Sequence, residues 1–188
     1  MTSSRARISN VRRFVGIGFA LLFLPVFAIG AMAASGGQAS LASVRQATAA
    51  FHDLAAAKAA GYAEFYVCTD NESLGAAMGQ HYLNINLVLD PAIDPLRPEA
   101  LVYEPKKGGG YQLVGVEYVT FQDAYHEAFG ANATPHVLGQ PLKAVGSPNR
   151  YGLPPFFQRH LWLWSPNPLG MYEDWNSKVS CRGHGDPA

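Results

Sequence analysis

The chain has 188 residues, 48% of them hydrophobic, and its 14 basic and 14 acidic side chains balance to a formal net charge of zero. That is enough chain for one domain with a single core. It carries no excess of positive charge to serve a nucleic acid, and no nucleophile elbow, phosphate loop, CxxC or HExxH motif to name a reaction.

The first 33 residues read as an export signal. Arg5, Arg7, Arg12 and Arg13 precede an uncharged apolar run from Phe14 to Ala34, which contains the small-residue triplet Ala31-Met32-Ala33. Pro25 and the triplet favour cleavage after Ala33. The run is long enough that an uncleaved membrane anchor is the alternative, and the only route by which this chain would meet a membrane. Arg12-Arg13 also suggests twin-arginine export, although the flanking residues fit that motif poorly. Either way the expected location is secreted or periplasmic, or anchored with the domain outside the cytoplasm. Losing four arginines and no acid leaves 10 basic against 14 acidic residues, a net charge of −4. That mildly acidic surface has no patch for anionic lipid.

Residues 34–39 form a small, polar, flexible spacer, and 40–188 a single globular domain. From Ser40 to Ala60 the chain is alanine-rich, with Val44, Phe51 and Leu54 at helical spacing and Gly61 positioned as a C-cap, which predicts one helix lying on a sheet. A polar loop from Thr69 to Gly79 precedes the strict alternation of His81 to Leu89, which predicts a strand. The prolines from Pro91 to Pro98 require a loop. Ala100 to Glu104 and Tyr111 to Phe121 form two strands, with Gly108, Gly109 and Gly110 in the hairpin between them. Gln122 to Phe129 reads as a short helix. Loops follow to Pro155, with a short strand near Val137, and His160 to Trp164 reads as the last strand. Strands in succession behind one helix predict an α+β fold: an antiparallel sheet, as a meander or partly open barrel, with the alanine-rich helix packed on it.

Two cysteines, Cys68 and Cys181, are expected to pair as a disulfide outside the cytoplasm. A nucleophilic Cys68 served by a histidine is the alternative, but nothing nearby depresses its pKa. Three ionisable residues fall within strands on otherwise apolar faces: His81, Glu117 and His160. An ionised group there costs several kcal/mol unless paired, protonated or bound to metal. Converging, two imidazoles and a carboxylate would hold a divalent ion, zinc, copper or iron, with positions left open. Met78 and Met171 would add sulfur if the metal were copper. In the competing reading these groups only satisfy one another, or Glu117 pairs with Arg150 or Arg159. Glu104, His52, His126 and His184 read as solvated. Among the aromatic residues, Phe156, Phe157, Trp162 and Trp164 are candidates for the wall of a small-ligand site, with Phe156 and Phe157 as its lip. They are equally ordinary core filling.

The segments Ala76-Ala77-Met78-Gly79-Gln80-His81-Tyr82, Pro98-Glu99-Ala100-Leu101-Val102-Tyr103-Glu104-Pro105, Leu113-Val114-Gly115-Val116-Glu117-Tyr118, His160-Leu161-Trp162-Leu163-Trp164 and Asn167-Pro168-Leu169-Gly170-Met171 together resemble a family of exported bacterial proteins of uncharacterised activity. The likeness runs from the alanine-rich helix to Cys181 and departs from it between Gln122 and Arg150. It implies a bacterial source and export, and supplies no reaction. The sequence therefore supports two readings: a protein binding a divalent metal ion or small ligand through its His/Glu cluster, or a non-enzymatic envelope interaction module without metal.

Overall fold

A computed structural model describes residues 39–182; the basic leader, its cleavage triplet and His184 lie outside the described residues. Helix α1 (Leu41–Thr48) begins at Ser40, whose hydroxyl accepts from the Ser43 amide at 3.1 Å while Ser43 Oγ accepts from the Ser40 amide at 2.9 Å. This reciprocal cap satisfies two of the donors that open a helix.

The single helix expected to Ala60 is instead broken. A 3-10 turn, Ala49–His52, leads to Asp53 in an extended conformation, and Asp53 Oδ1 accepts from the Ala55 amide at 2.9 Å to start α2 (Leu54–Ala59). A short carboxylate that can cap its own downstream amides competes with helix continuation, and here it outweighs the alanine propensity on both sides. Gly61, with φ +94°, ends the segment as expected.

Six strands form one antiparallel sheet, curled into a half-barrel, with the N-terminal helix packed on it. They are β1 (Ala63–Asn71), β2 (Ala76–Leu83), β3 (Ala100–Pro105), β4 (Tyr111–Phe121), β7 (Lys143–Val145) and β8 (Phe156–Leu161); β5 (His136–Val137) and β6 (Gln140–Pro141) make a separate pair. The order β1-β2-β3-β4-β8-β7 is a four-stranded meander to which β8 adds beside β4.

Three expectations are corrected here. Much of the expected 69–79 loop is strand, because β1 is irregular: Tyr66 has φ +58° and the register with β2 shifts between Phe65 and Thr69, erasing the alternation that marks a strand. The strand expected to reach Leu89 stops at Leu83. Asn84 caps a single helical turn, α3 (Ile85–Val88), accepting from the Asn86 amide at 3.2 Å and donating to the Ala60 carbonyl at 3.1 Å. The last strand starts earlier than expected and ends at Leu161, since the Trp162 and Trp164 amides bond to the Met171 and Val114 carbonyls. Helix α4 (Gln122–Phe129) and β4 match their expected bounds.

The sheet is buried on both faces. Tyr82, Leu101, Tyr103, Val116, Tyr118, Phe157 and Leu161 pack with Val44 and Ala57 under the helices. The tyrosine hydroxyls tie loops to this core: Tyr62 donates to Pro98 O at 2.7 Å, Tyr103 to Phe51 O at 2.7 Å and Tyr118 to Pro95 O at 2.9 Å. The other face carries Cys68, Ala77, Val102, Val114, Trp162, Val179 and Cys181, and the two cysteines form a disulfide, as expected. It fits an oxidising, extracytoplasmic compartment. No helix among the described residues is long and apolar enough to cross a membrane.

Glu99, just before β3, is 1% exposed, and its Oε2 accepts from the Val119 amide at 3.1 Å. Burial, with help from Glu117 and Asp94, pushes its pKa from the ordinary 4.5 up to about 8, against the backbone hydrogen bonds. The folded state therefore holds a proton that the unfolded chain releases near pH 4.5. Stability contributed here is full below about 4.5 and falls by about 1.4 kcal/mol per pH unit until the folded group ionises near 8. Glu99→Gln keeps an acceptor for Val119 and is expected to flatten that decline. Urea unfolding of both proteins at pH 5, 6.5 and 8 measures it; parallel curves would show that Glu99 is charged in the fold.

Candidate metal centre

Register brings the cluster together. Leu83 pairs with Ala100, Ala100 with Glu117 and Glu117 with His160, so one row crosses β2, β3, β4 and β8 on the face away from the helices. His81 lies two residues from Leu83 along β2 and shares that face. Ala100 offers only a methyl between β2 and β4, which lets the longer side chains of His81 and Glu117 meet above it. Gly115 makes room on the other side: a Cβ there would sit 2.9 Å from the Leu161 carbonyl oxygen and 3.3 Å from the Trp162 ring. Trp162 can thus lie flat beside His160, with ring centroids 5.7 Å apart and planes 18° from parallel.

His81 Nε2 stands 3.2 Å from His160 Nε2 and 3.3 Å from Glu117 Oε2, while Glu117 Oε1 is 3.6 Å from His160 Nδ1. All three residues are buried, and they can hold a metal ion. Donors sharing one ion through bonds of about 2.0 to 2.2 Å lie about 3 to 4 Å apart; the two contacts of His81 Nε2 have that spacing, and one ligand atom from each of the three residues lies within 4.8 Å of the others.

Asp174, which sequence reasoning missed, completes the surroundings. Its Oδ1 lies 3.8 Å from His160 Nδ1, and its Oδ2 takes Lys143 Nζ at 3.4 Å. His160 Nδ1 and Asp174 Oδ1 are both buried without a hydrogen-bond partner. The two atoms face each other across 3.8 Å, so each buried group is turned toward one of opposite polarity. A carboxylate behind a ligating imidazole fixes the ring's orientation and raises its basicity.

The electrostatics divide the cluster. Burial and the adjacent His160 push the His81 imidazole down to about 3, against its hydrogen bond to the Gly79 backbone, so it stays neutral with the lone pair of one ring nitrogen available. Burial also opposes charge on His160, but Glu117 and Asp174 outweigh it and hold that imidazole above its ordinary value. Burial lifts Glu117, aided by Asp174 and opposed by His160. For Asp174 the upward push of burial is overcome by His160 and Lys143, which hold it below the usual carboxyl range.

A cavity of about 30 Å³ opens beside His81 and Glu117, walled by Phe65, Leu83, Val119, Leu153 and Phe156. That exceeds the 10 to 15 Å³ that one water requires. Tyr151 roofs it from the 146–155 loop, its hydroxyl donating to Met78 Sδ at 3.5 Å. Asn149 shapes this loop, donating to Gly146 O at 2.9 Å and Leu153 O at 2.8 Å and accepting from the Tyr151 and Leu153 amides.

The aromatic candidates divide. Phe156 lines the cavity and Trp162 stacks on His160, its indole donating to the Glu173 carbonyl at 2.6 Å. Phe157 packs under the helices beside Tyr125 and His126, and Trp164 packs against His52, so neither joins the cluster. Adjacent residues of one strand face opposite sides, which parts Phe156 from Phe157. Arg159 donates to the Pro141 and Tyr172 carbonyls, and Arg150 lies over the Trp175 ring. Met171 is 38% exposed.

Asp174→Asn is expected to weaken metal binding about 10- to 100-fold, the usual effect of losing a partner behind a ligand. Calorimetric zinc titration tests it, and unchanged affinity would make Asp174 a mere ion-pair partner of Lys143. Comparison of the chain with protein-family models, with curated proteins and with solved structures gives no match.

Proposed function

We propose that the protein works outside the cytoplasm and binds one divalent transition-metal ion through His81, Glu117 and His160, with Asp174 orienting His160. One observation carries the reading: His160 Nε2 and Glu117 Oε2 lie 3.2 and 3.3 Å from His81 Nε2, so one donor from each of three strands meets at a buried point. Two imidazoles and one carboxylate suit zinc or iron, and leave coordination positions that would face the cavity beside His81. Copper is less well supported, since Met78 Sδ already accepts a hydrogen bond from Tyr151.

Export is supported by the arginine-led apolar leader, by the likeness to exported bacterial proteins and by the disulfide. When bound, the ion would supply Lewis acidity toward a water or ligand in the cavity.

The second reading is an envelope interaction module whose cluster only satisfies itself. It is favoured by the two contacts of His81 Nε2, both within reach of a hydrogen bond. Elemental analysis of protein recovered from the periplasm separates the two. The metal reading expects about one equivalent of zinc or iron, and a melting temperature that chelator lowers and zinc restores. Metal-free protein with a melting temperature indifferent to both would establish the interaction module.

A further inference from the structure

The polar side chains at the cavity beside the cluster are His81, Glu117, Tyr151 and Gln158. His81 and Glu117 face each other at 3.3 Å, and the Tyr151 hydroxyl donates to Met78 Sδ at 3.5 Å. Gln158 differs from all three. It is 6% exposed, and among the described residues its carboxamide has no hydrogen-bond partner. A buried amide is rarely left so, because its two N–H donors and its carbonyl oxygen have given up water on folding.

Strand pairing shows where that amide is directed. Gln158 stands on β8 between Phe156 and His160 and shares their face of the sheet. Opposite it on β4 is Val119, which offers only apolar surface, and opposite it on β7 is Lys143. The Lys143 ammonium is shared between Glu173 Oε2 at 3.1 Å and Asp174 Oδ2 at 3.4 Å, so it is turned to the tail. Glu117, opposite His160, is the diagonal neighbour of Gln158, a separation that long side chains span. The surface left to the carboxamide is the cavity it shares with His81 and Glu117. Volume limits what can lie there: about 30 Å³ is room for about two water molecules at 10 to 15 Å³ each.

We propose that Gln158 binds the exchangeable ligand of this centre, a water molecule or an inorganic anion of up to about three heavy atoms, by donating an amide N–H to the ligand atom held at the ion. The proposal rests on the metal reading above and names both what takes the open coordination position and what holds it there. A glutamine suits the task because it is neutral and adds no charge to a buried centre. By turning its carboxamide it can also accept from a bound water, so one side chain serves both kinds of ligand.

The test uses the full chain loaded with cobalt(II), whose visible absorption responds to its ligands, and azide as the probe. Chelator-stripped protein is first titrated with cobalt, and absence of binding at this stage would overturn the metal reading and the proposal with it. Cobalt-loaded protein is then titrated with azide and with benzoate. Azide is expected to change the absorption saturably, and benzoate at the same concentrations to leave it unchanged. Gln158→Leu, an apolar side chain that a buried strand accepts, is expected to weaken azide about tenfold with cobalt affinity unchanged, the effect of one hydrogen bond to a charged group. It should also shift the infrared antisymmetric stretch of bound azide, which a packing role for Gln158 would not do. Gln158→Met keeps the length without the N–H groups and gives the same comparison if the leucine variant does not fold. Cobalt-loaded wild type indifferent to azide, azide affinity and stretch equal in wild type and variant, or benzoate binding as tightly as azide would each overturn the proposal and leave the metal reading standing.

Discussion

His160→Ala is expected to lower zinc affinity several hundredfold and to abolish protection of the fold by zinc. The magnitude follows from the energetics of four-ligand zinc sites. About 10 to 16 kcal/mol shared among four ligands assigns about 2.5 to 4 kcal/mol to each, roughly 70- to 900-fold in the dissociation constant. His160 is the ligand whose loss should cost most. Its Nε2 faces His81 Nε2 at 3.2 Å while its other nitrogen faces Asp174, so its removal deletes a donor and leaves two carboxylates, Glu117 and Asp174, without the imidazole between them. Wild type and variant are compared by competition against a zinc indicator, together with melting curves at several zinc concentrations. A melting temperature that rises with zinc equally in both proteins would place the bound ion elsewhere.

Cys181→Ser is expected to cost about 4 to 5 kcal/mol of stability. Cys68 in β1 and Cys181 in the C-terminal tail are 113 residues apart, with Cα atoms 5.6 Å from each other. On the chain-entropy model, opening a loop of about that length returns nearly 5 kcal/mol of freedom to the unfolded chain. The buried cysteines also pack with Ala77, Val102, Val114, Trp162 and Val179, so serine would add the penalty of a buried hydroxyl. Guanidinium unfolding of wild type, of the variant and of reduced wild type measures the effect. Midpoints that coincide for all three would show that the tail is held by contacts other than the crosslink.

The parts of the fold legible in the sequence are those where local pattern and tertiary context agree. Tyr111–Phe121 has a long β-branched and aromatic run after a glycine hairpin, and Gln122–Phe129 follows it without a breaker, so both elements stand where periodicity puts them. His81, Glu117 and His160 could be picked out because each interrupts an apolar face, and their convergence then depends on register, which a small residue at Ala100 permits. Three features were hidden. The left-handed Tyr66 turns β1 out of its alternation. Asp53 and Asn84 start helices by side-chain caps, where the alanine run and the alternating Asn/Ile/Leu pattern argued for continuity. Asp174 reaches the cluster from an irregular tail whose place is set by long-range contacts, Ala77 with Asn176 and Cys68 with Cys181, for which periodicity has no signal.

The order in which the chain emerges gives that tail a further meaning. His81 and His160 are 79 residues apart, and Asp174 follows later still, so on the proposed export and metal reading a chain threaded through a membrane as an extended strand would present its first metal donor long before its last. An ion captured at the half-built stage would have one imidazole and one carboxylate to hold it. On that reading loading would belong after translocation is complete, at the prevailing metal supply of the outer compartment. Only a route that carries folded cargo would let the cell choose the ion beforehand.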